Sequence, residues 1–201
     1  MSSILRNIIS ELPLDQLAYL ELGVLSGHCF NNIPARKMVG VDIQPRFQDP
    51  RIWIGRTDAY FAQPPTDRFD LILIDACHEY KQTCRDLRGS NQVLQPGGLV
   101  FCHDMAPPSK NHISPNYCWD TYRAAAWCMA NNISFWMTVE DFGLTVFPKE
   151  TMEIIAANID EEYTISYEDY WAQLREHPSI YLIEELKRIV TTQWQVRNPP
   201  V

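Results

Sequence analysis

The chain predicts a doubly wound α/β sheet, parallel for most of its width, and three observations carry that fold class. Short apolar runs alternate with helical stretches between Leu17 and Asp104. The runs are continuously apolar rather than alternating, as strands buried on both faces must be. Several end on an acid, Glu21, Asp42, Asp75 and Asp104 among them, which places a ligand site along the carboxyl edge of the sheet.

Ile4, Leu5, Ile8, Ile9 and Leu12 recur at helical spacing within residues 1–12, and Pro13 ends that helix, which reads as a lid or edge cover. The run Leu17-Ala18-Tyr19-Leu20-Glu21-Leu22 is a buried strand that breaks at Gly23. Gly23 and Gly27 frame a tight turn expected to open a helix over 26–32, closed by Pro34, whose first N–H groups are free for a ligand. The pattern E-x-G-x-x-x-G has an acid where the dinucleotide fingerprint has its first glycine, which favours a ligand with cationic or hydroxyl donors over a pyrophosphate. Residues 38–43 are a second strand. Its Asp42 follows the glycine turn by about 20 residues, the place of an acid that accepts from ribose hydroxyls, with an ordinary strand-end Asp as the plain alternative.

Residues 52–55 are a third strand, followed by a helix capped by Thr57 or Asp58. After Pro64-Pro65, residues 69–75 give the strongest buried-strand signal, and a helix is expected over 78–94. Gln95-Pro96-Gly97-Gly98 is a sharp turn before a fifth strand over 99–104. The proline-punctuated stretch 105–115 is a loop at the site edge, suited to substrate specificity. A helix over 116–129 carries Trp119 and Tyr122, each read as core or as acceptor lining. Residues 133–139 and 143–147 form a final strand pair. Beyond Lys149, Tyr163, Tyr167, Tyr170, Trp171 and Leu174 make one helical stripe, and Ile180, Leu182, Ile183, Leu186, Ile189 and Val190 a second. The expected organisation is a domain over 1–148 with a helical extension over 149–201 packed on it as core cover, lid or homo-oligomer interface. Residues 198–201 read as frayed.

The 201 residues, 46% hydrophobic, suit one α/β domain with an appendage. A formal net charge of −8 argues against nucleic acid or an anionic membrane as the main partner, and so favours a small-molecule substrate. No apolar run approaches the roughly 18 residues of a spanning helix, and no basic leader is visible, so a cytoplasmic location is expected. Six cysteines without a C-x-x-C indicate neither a disulfide framework nor a zinc knuckle.

The runs E-L-G-V-L-S-G, V-G-V-D-I, F-D-L-I-L-I-D-A-C-H-E-Y and L-Q-P-G-G-L-V-F-C-H-D together resemble the class I S-adenosylmethionine-dependent methyltransferases, over about residues 17–148. Its D-x-x-H and P-G-G-x-x-x-x-H-D elements are similar to those of the small macrocin O-methyltransferase-like branch, whose members methylate sugar and other natural-product hydroxyls. The resemblance implies a Rossmann-like sheet with an antiparallel end hairpin. It implies that Glu21, Gly23 and Gly27 hold the methionine end of the cofactor, Asp42 its ribose, and Thr57 and Asp58 its adenine, with Asp75 also at the cofactor. Cys29 stands where such sequences commonly carry Ser. Metal-dependent relatives imply that Asp75, His103 and Asp104 hold a divalent ion, magnesium or manganese, and that His78, with Asp75, serves as the base. His103 departs from the second carboxylate of the best-studied metal users.

The residues support this chemistry on their own. Methyl transfer needs an acceptor oxygen or nitrogen stripped of its proton, by a His or Asp within reach or by an ion that lowers the acceptor's pKa. Asp75 and His78 leave one strand end and Asp104 its neighbour. Strand alternation sets Cys102 and Asp104 on one face and His103 on the other, so not all of them are expected to converge. In the plain readings His78 caps a helix, Asp104 caps a loop, and His28 and His112 are solvated. The expected activity is O-methylation of a small metabolite. The alternatives are N-methylation of a small amine, a non-catalytic cofactor-binding scaffold, and a nicotinamide oxidoreductase, which the missing first glycine disfavours.

Overall fold

Seven strands form one sheet in the order β3-β2-β1-β4-β5-β7-β6. The computed structural model describes residues 2–199. β1 (Ala18–Leu22), β2 (Lys37–Asp42), β3 (Ile52–Ile54), β4 (Phe69–Ile74) and β5 (Leu94–His103) run parallel. β7 (Leu144–Pro148) lies antiparallel to β5, and β6 (Trp136–Thr138) antiparallel to β7. This is the mostly parallel, Rossmann-like sheet with an antiparallel end pair. The chain winds outward from β1 through β2 to β3, then returns to β4 on the other side of β1. The strand order therefore reverses between β1 and β4, where such folds open a crevice at the carboxyl ends.

The central strands are continuously apolar because both their faces are covered. Leu20, Leu22 and Ile72 point into one core with α3 (Tyr80–Val93), α4 (Tyr122–Ala130), α5 (Lys149–Asn158) and α6 (Tyr167–Leu174). Tyr19, Leu71 and Leu73 point the other way, into a core shared with α1 (Ser2–Ile8) and α7 (Ile183–Arg197). α1 is thus buried cover through Leu5 and Ile8. The stripe expected over 180–190 divides: Ile180 bridges to Met137 and shields the outer edge of β6, while Leu186 and Val190 are fully buried on α7. α5, which the sequence reading did not single out, closes the first core with Met152 and Ile155. No helix among the described residues is long and apolar enough to cross a membrane.

Four local expectations change. Residues 26–32 form turns and a 3-10 turn at Phe30–Asn32 instead of an α-helix. Leu25 and Gly27 both sit at positive φ, at 47° and 72°, and that backbone cannot start a helix. α2 (Thr57–Phe61) begins after Arg56, with neither Thr57 nor Asp58 capping it. α4 begins at Tyr122, since 115–121 forms turns whose polar groups bond elsewhere. β5 starts at Leu94, and the Pro-Gly-Gly stretch is an irregularity in its pairing with β4 rather than a separate turn. Met1, Pro200 and Val201 lie outside the described residues, and with them the first residue of the expected first helix and the tip of the expected frayed end.

Leu186 carries the packing of α7 on the second core. Leu186→Ala is expected to destabilise the protein by about 2–5 kcal/mol, read as a lower urea midpoint; an unchanged midpoint would show α7 to be dispensable cover.

Candidate active site

The site lies where β1 and β4 end side by side. Gly23 has a φ of 90°, and a Cβ there would overlap the Asp75 carbonyl, so only glycine allows the two strand tips to meet. Its N–H donates to the Val41 carbonyl and the Asp75 N–H to the Leu22 carbonyl, both at 2.8 Å, which locks the ends of β1, β2 and β4 together. Gly27 has a different role: a Cβ there would strike the Phe47 ring and the Asn31 amide, so this glycine lets the loop pack on its own chain. Asp42 accepts from the Leu25 N–H and the Gln44 N–H at 2.7 Å each, tying the glycine loop to the end of β2.

A cavity of about 570 Å³ opens at this point, lined among others by Glu21, Gly23, Asp42, Thr57, Asp75, His78 and Gln82. Gly27, Asp58, His103 and Asp104 are not part of its lining. Thr57 is buried and donates to Asp86 Oδ1 at 2.5 Å, while Gln82 Nε2 donates to Asp58 Oδ1 at 2.9 Å. The amide oxygen of Gln82 is a buried acceptor without a protein partner. The wall is rich in carboxylates, so its field favours a cationic ligand. Burial pushes the carboxyl of Glu21 up to about 8, against the donation it receives from Tyr19, and the charge of Asp75 adds to the rise. A wider hollow of about 720 Å³ lies beside α6, lined by residues that include Tyr163 and Gln173, and it contains none of these groups.

At one end of the cavity two histidines and two acids interlock. His78 precedes α3 and does not cap it. Its Nδ1 faces the Tyr117 carbonyl and therefore carries a proton, while Nε2 lies 3.1 Å from Asp104 Oδ2 and 3.5 Å from Asp75 Oδ1. His103 donates from Nε2 to the Asp141 carbonyl at 2.7 Å, and its Nδ1 lies 3.3 Å from Asp75 Oδ1 and 3.4 Å from Asp104 Oδ1. Both nitrogens of His103 face acceptors, so the ring is held as a cation. Burial opposes that charge, but its hydrogen bonding to Asp104 and Asp75, which accept, prevails and carries its pKa to about 10. Burial likewise works against ionisation of Asp75, and the donations of His103 and His78 hold it down at about 2.

The convergence of Asp75, His103 and Asp104 departs from the strand-alternation expectation. Asp104 follows the last residue of β5 and takes a φ of 64°, a left-handed turn that swings its carboxylate back toward His103. The donor atoms that gather within 4.8 Å of one another are those of Asp75, His78 and Asp104, with His103 outside that set.

The segment 117–121 supplies groups that the sequence reading missed. Besides the Tyr117 carbonyl, the Cys118 thiol donates to Asp104 Oδ1 at 3.3 Å and the Thr121 hydroxyl to the His78 carbonyl at 2.7 Å. Asp120 accepts the Tyr80 N–H at 2.7 Å, capping α3 from another part of the chain. No local signal marks these groups, because Tyr117, Asp120 and Thr121 act across about 40 residues of sequence and Cys118 across 14. Tyr122, an acceptor-lining candidate, is core: it is buried, its ring lies 5.0 Å from that of Tyr170, and its hydroxyl donates to the Ile165 carbonyl. Trp119 is half-buried. His112 is not free in solvent, since its Nδ1 lies 2.9 Å from Ser109 Oγ and its ring contacts Tyr117 and Phe142.

The charge on His103 sets a pH window. A histidine raised from 6.5 to about 10 on folding contributes stability that is complete below about pH 6.5 and is lost as pH rises toward 10. Urea unfolding of wild type and His103→Gln at pH 6.5 and pH 10 should show a gap on the order of 2–4 kcal/mol that shrinks at the higher pH. A gap that stays constant would mean an uncharged ring.

Residues 28–105 match the family model described as a methyltransferase domain. No curated protein matches the chain. The fold is similar to that of the MycE methyltransferase from the mycinamycin biosynthetic pathway, solved with Mg and S-adenosylhomocysteine (TM-score 0.50, 16% identity, 72% of this chain and 48% of that one). It is similar also to the S-adenosylhomocysteine-bound methyltransferase PaMTH1 of Podospora anserina (0.51, 16%, 72% and 76%). A putative hemolysin from Lactococcus lactis shares the fold over 94% of this chain and 96% of its own, with a TM-score of 0.50 and 12% identity. The chain spans about half the length of MycE. Residues 28–105 thus carry a methyltransferase-domain match, on a fold that two methyltransferases share.

Proposed function

We propose that this chain methylates a hydroxyl of a small metabolite, a sugar or natural-product alcohol, with S-adenosylmethionine as donor. One observation carries the reading: His78 presents Nε2 to two carboxylates at the end of a cavity whose remaining wall holds Glu21, Gly23 and Asp42. The donor set suits the cofactor, because a cationic, hydroxyl-bearing ligand matches an acid-lined wall, and the orphaned Gln82 oxygen offers an acceptor near Thr57. Glu21 and the Gly23 backbone serve the amino-acid end, Asp42 the ribose, and Thr57 the adenine with Asp58 behind it. When bound, the cofactor supplies an electrophilic methyl group on its sulfonium.

His78 Nε2 takes the acceptor's proton. The Tyr117 carbonyl holds the proton on Nδ1, and against the ring's burial Asp75 and Asp104 stabilise the cation and raise its pKa, so the base acts from the neutral form of the ring. Magnesium or manganese suits the donors of Asp75, His78 and Asp104, since an imidazole whose other nitrogen is held by a backbone carbonyl is a common ligand arrangement. The nitrogen donor favours manganese over magnesium. An ion there would acidify the acceptor hydroxyl. His103, engaged at both nitrogens, is not in this set. Ion and base compete for the same nitrogen of His78, so the two roles are separable by experiment. The free cysteines, five buried and Cys77 exposed, fit a reducing, cytoplasmic setting.

Calorimetric titration with S-adenosylhomocysteine, in EDTA and then with magnesium or manganese, tests the reading. Micromolar binding is expected in both conditions, tightened by the ion if the triad holds one; absence of binding would sink the cofactor assignment. His78→Ala should keep S-adenosylhomocysteine affinity within about twofold and lower methyl transfer to a panel of hydroxylated acceptors by at least about a hundredfold.

A further inference from the structure

We propose that Tyr19 is a positioning residue, whose buried hydroxyl, together with the Cys29 thiol, aims the carboxylate of Glu21 at the amino-acid end of the cofactor. The proposal rests on the assignment of Glu21 to that end of the cavity.

Tyr19 and Glu21 stand two residues apart on β1, so strand periodicity sends both side chains to the same face. Tyr19 is 0% exposed and Glu21 1% exposed, yet Glu21 forms part of the cavity wall. The Tyr19 hydroxyl donates to Glu21 Oε2 at 2.7 Å and lies 3.8 Å from Cys29 Sγ. The Cys29 thiol and the Phe30 N–H both favour the ionised form of Glu21. The acid is therefore held from its own strand, by a hydroxyl that the thiol of the glycine loop also meets.

Packing alone does not ask for this hydroxyl. The rest of the Tyr19 ring sits among apolar neighbours of the second core, where phenylalanine would fill the same space. A fully buried phenol needs a partner, and among the described residues this one meets a site acid and the adjoining thiol. Glu21 in turn needs donors, because burial and the nearby charge of Asp75 both favour its neutral form. Without Tyr19 the carboxylate would lose a fixed orientation and part of its readiness to meet a cation.

The test uses two probes on the full chain, S-adenosylhomocysteine and 5′-methylthioadenosine, which keeps the adenosine and thioether but lacks the amino-acid end. Tyr19→Phe is expected to weaken S-adenosylhomocysteine about tenfold, the loss of one charge-assisted hydrogen bond, while 5′-methylthioadenosine stays within about twofold. Glu21→Gln, which keeps the side-chain shape, should show the same selective loss. Equal weakening of both probes in Tyr19→Phe, or of neither, overturns the positioning role. A selective loss in Glu21→Gln that Tyr19→Phe does not share overturns it as well, leaving the assignment of Glu21 intact. A wild-type chain that binds neither probe removes the cofactor assignment itself and the proposal with it.

Discussion

The backbone of Gly23 passes so close to the Asp75 carbonyl that no side chain fits between them, and the geometry of the site follows from that approach. Two central strands, each buried on both faces, are drawn together at their carboxyl tips. The loop after one faces the acid at the end of the other across a single cavity. Any larger residue at position 23 would separate the wall formed by Glu21 and Asp42 from the base and acids beyond Asp75. The reversal of strand order opens the crevice, and the glycine sets its width.

A second constraint is charge. Two carboxylates buried beside one another would ordinarily share a proton, since like charges at short range disfavour double ionisation. Here His103 lies against both, locked as a cation by the Asp141 carbonyl on its far side. Asp75 stays ionised, and although burial works against a charged His78, its bond to Asp75 and the charge of Asp104 raise that ring's pKa above the usual histidine value. The two histidines differ in place: His103 is held at both nitrogens behind the cavity wall, and His78 is part of that wall. The left-handed turn at Asp104 is the local strain that permits this arrangement, and strain of that kind gathers at functional sites.

A third feature is the dependence of α3 on a distant segment. The helix has no side-chain cap of its own, and Asp120 supplies one while Tyr117 and Thr121 hold His78 just ahead of it. The helix start and the base are therefore fixed by one stretch of irregular chain, which also reaches Asp104 through Cys118. Displacement of 117–121 would disturb three groups of the site together.

The sequence by itself determined the strands, their parallel sense, the end pair, and the edge where the acids gather, because continuous apolar runs and terminal acids are local signals of burial and of strand ends. It also offered Glu21, Gly23, Asp42, Asp75 and His78 as candidates, by their spacing and by resemblance, and all five line one cavity. Only the tertiary structure decided that residues 26–32 are turns, that Gly27 serves packing, that His103 meets Asp75 and Asp104, and that Tyr19 and 117–121 brace the site. These outcomes depend on positive φ angles and on hydrogen bonds between residues far apart in the chain. Neither leaves a periodic trace in the sequence, and both are fixed only when the sheet closes and the loops meet over its edge.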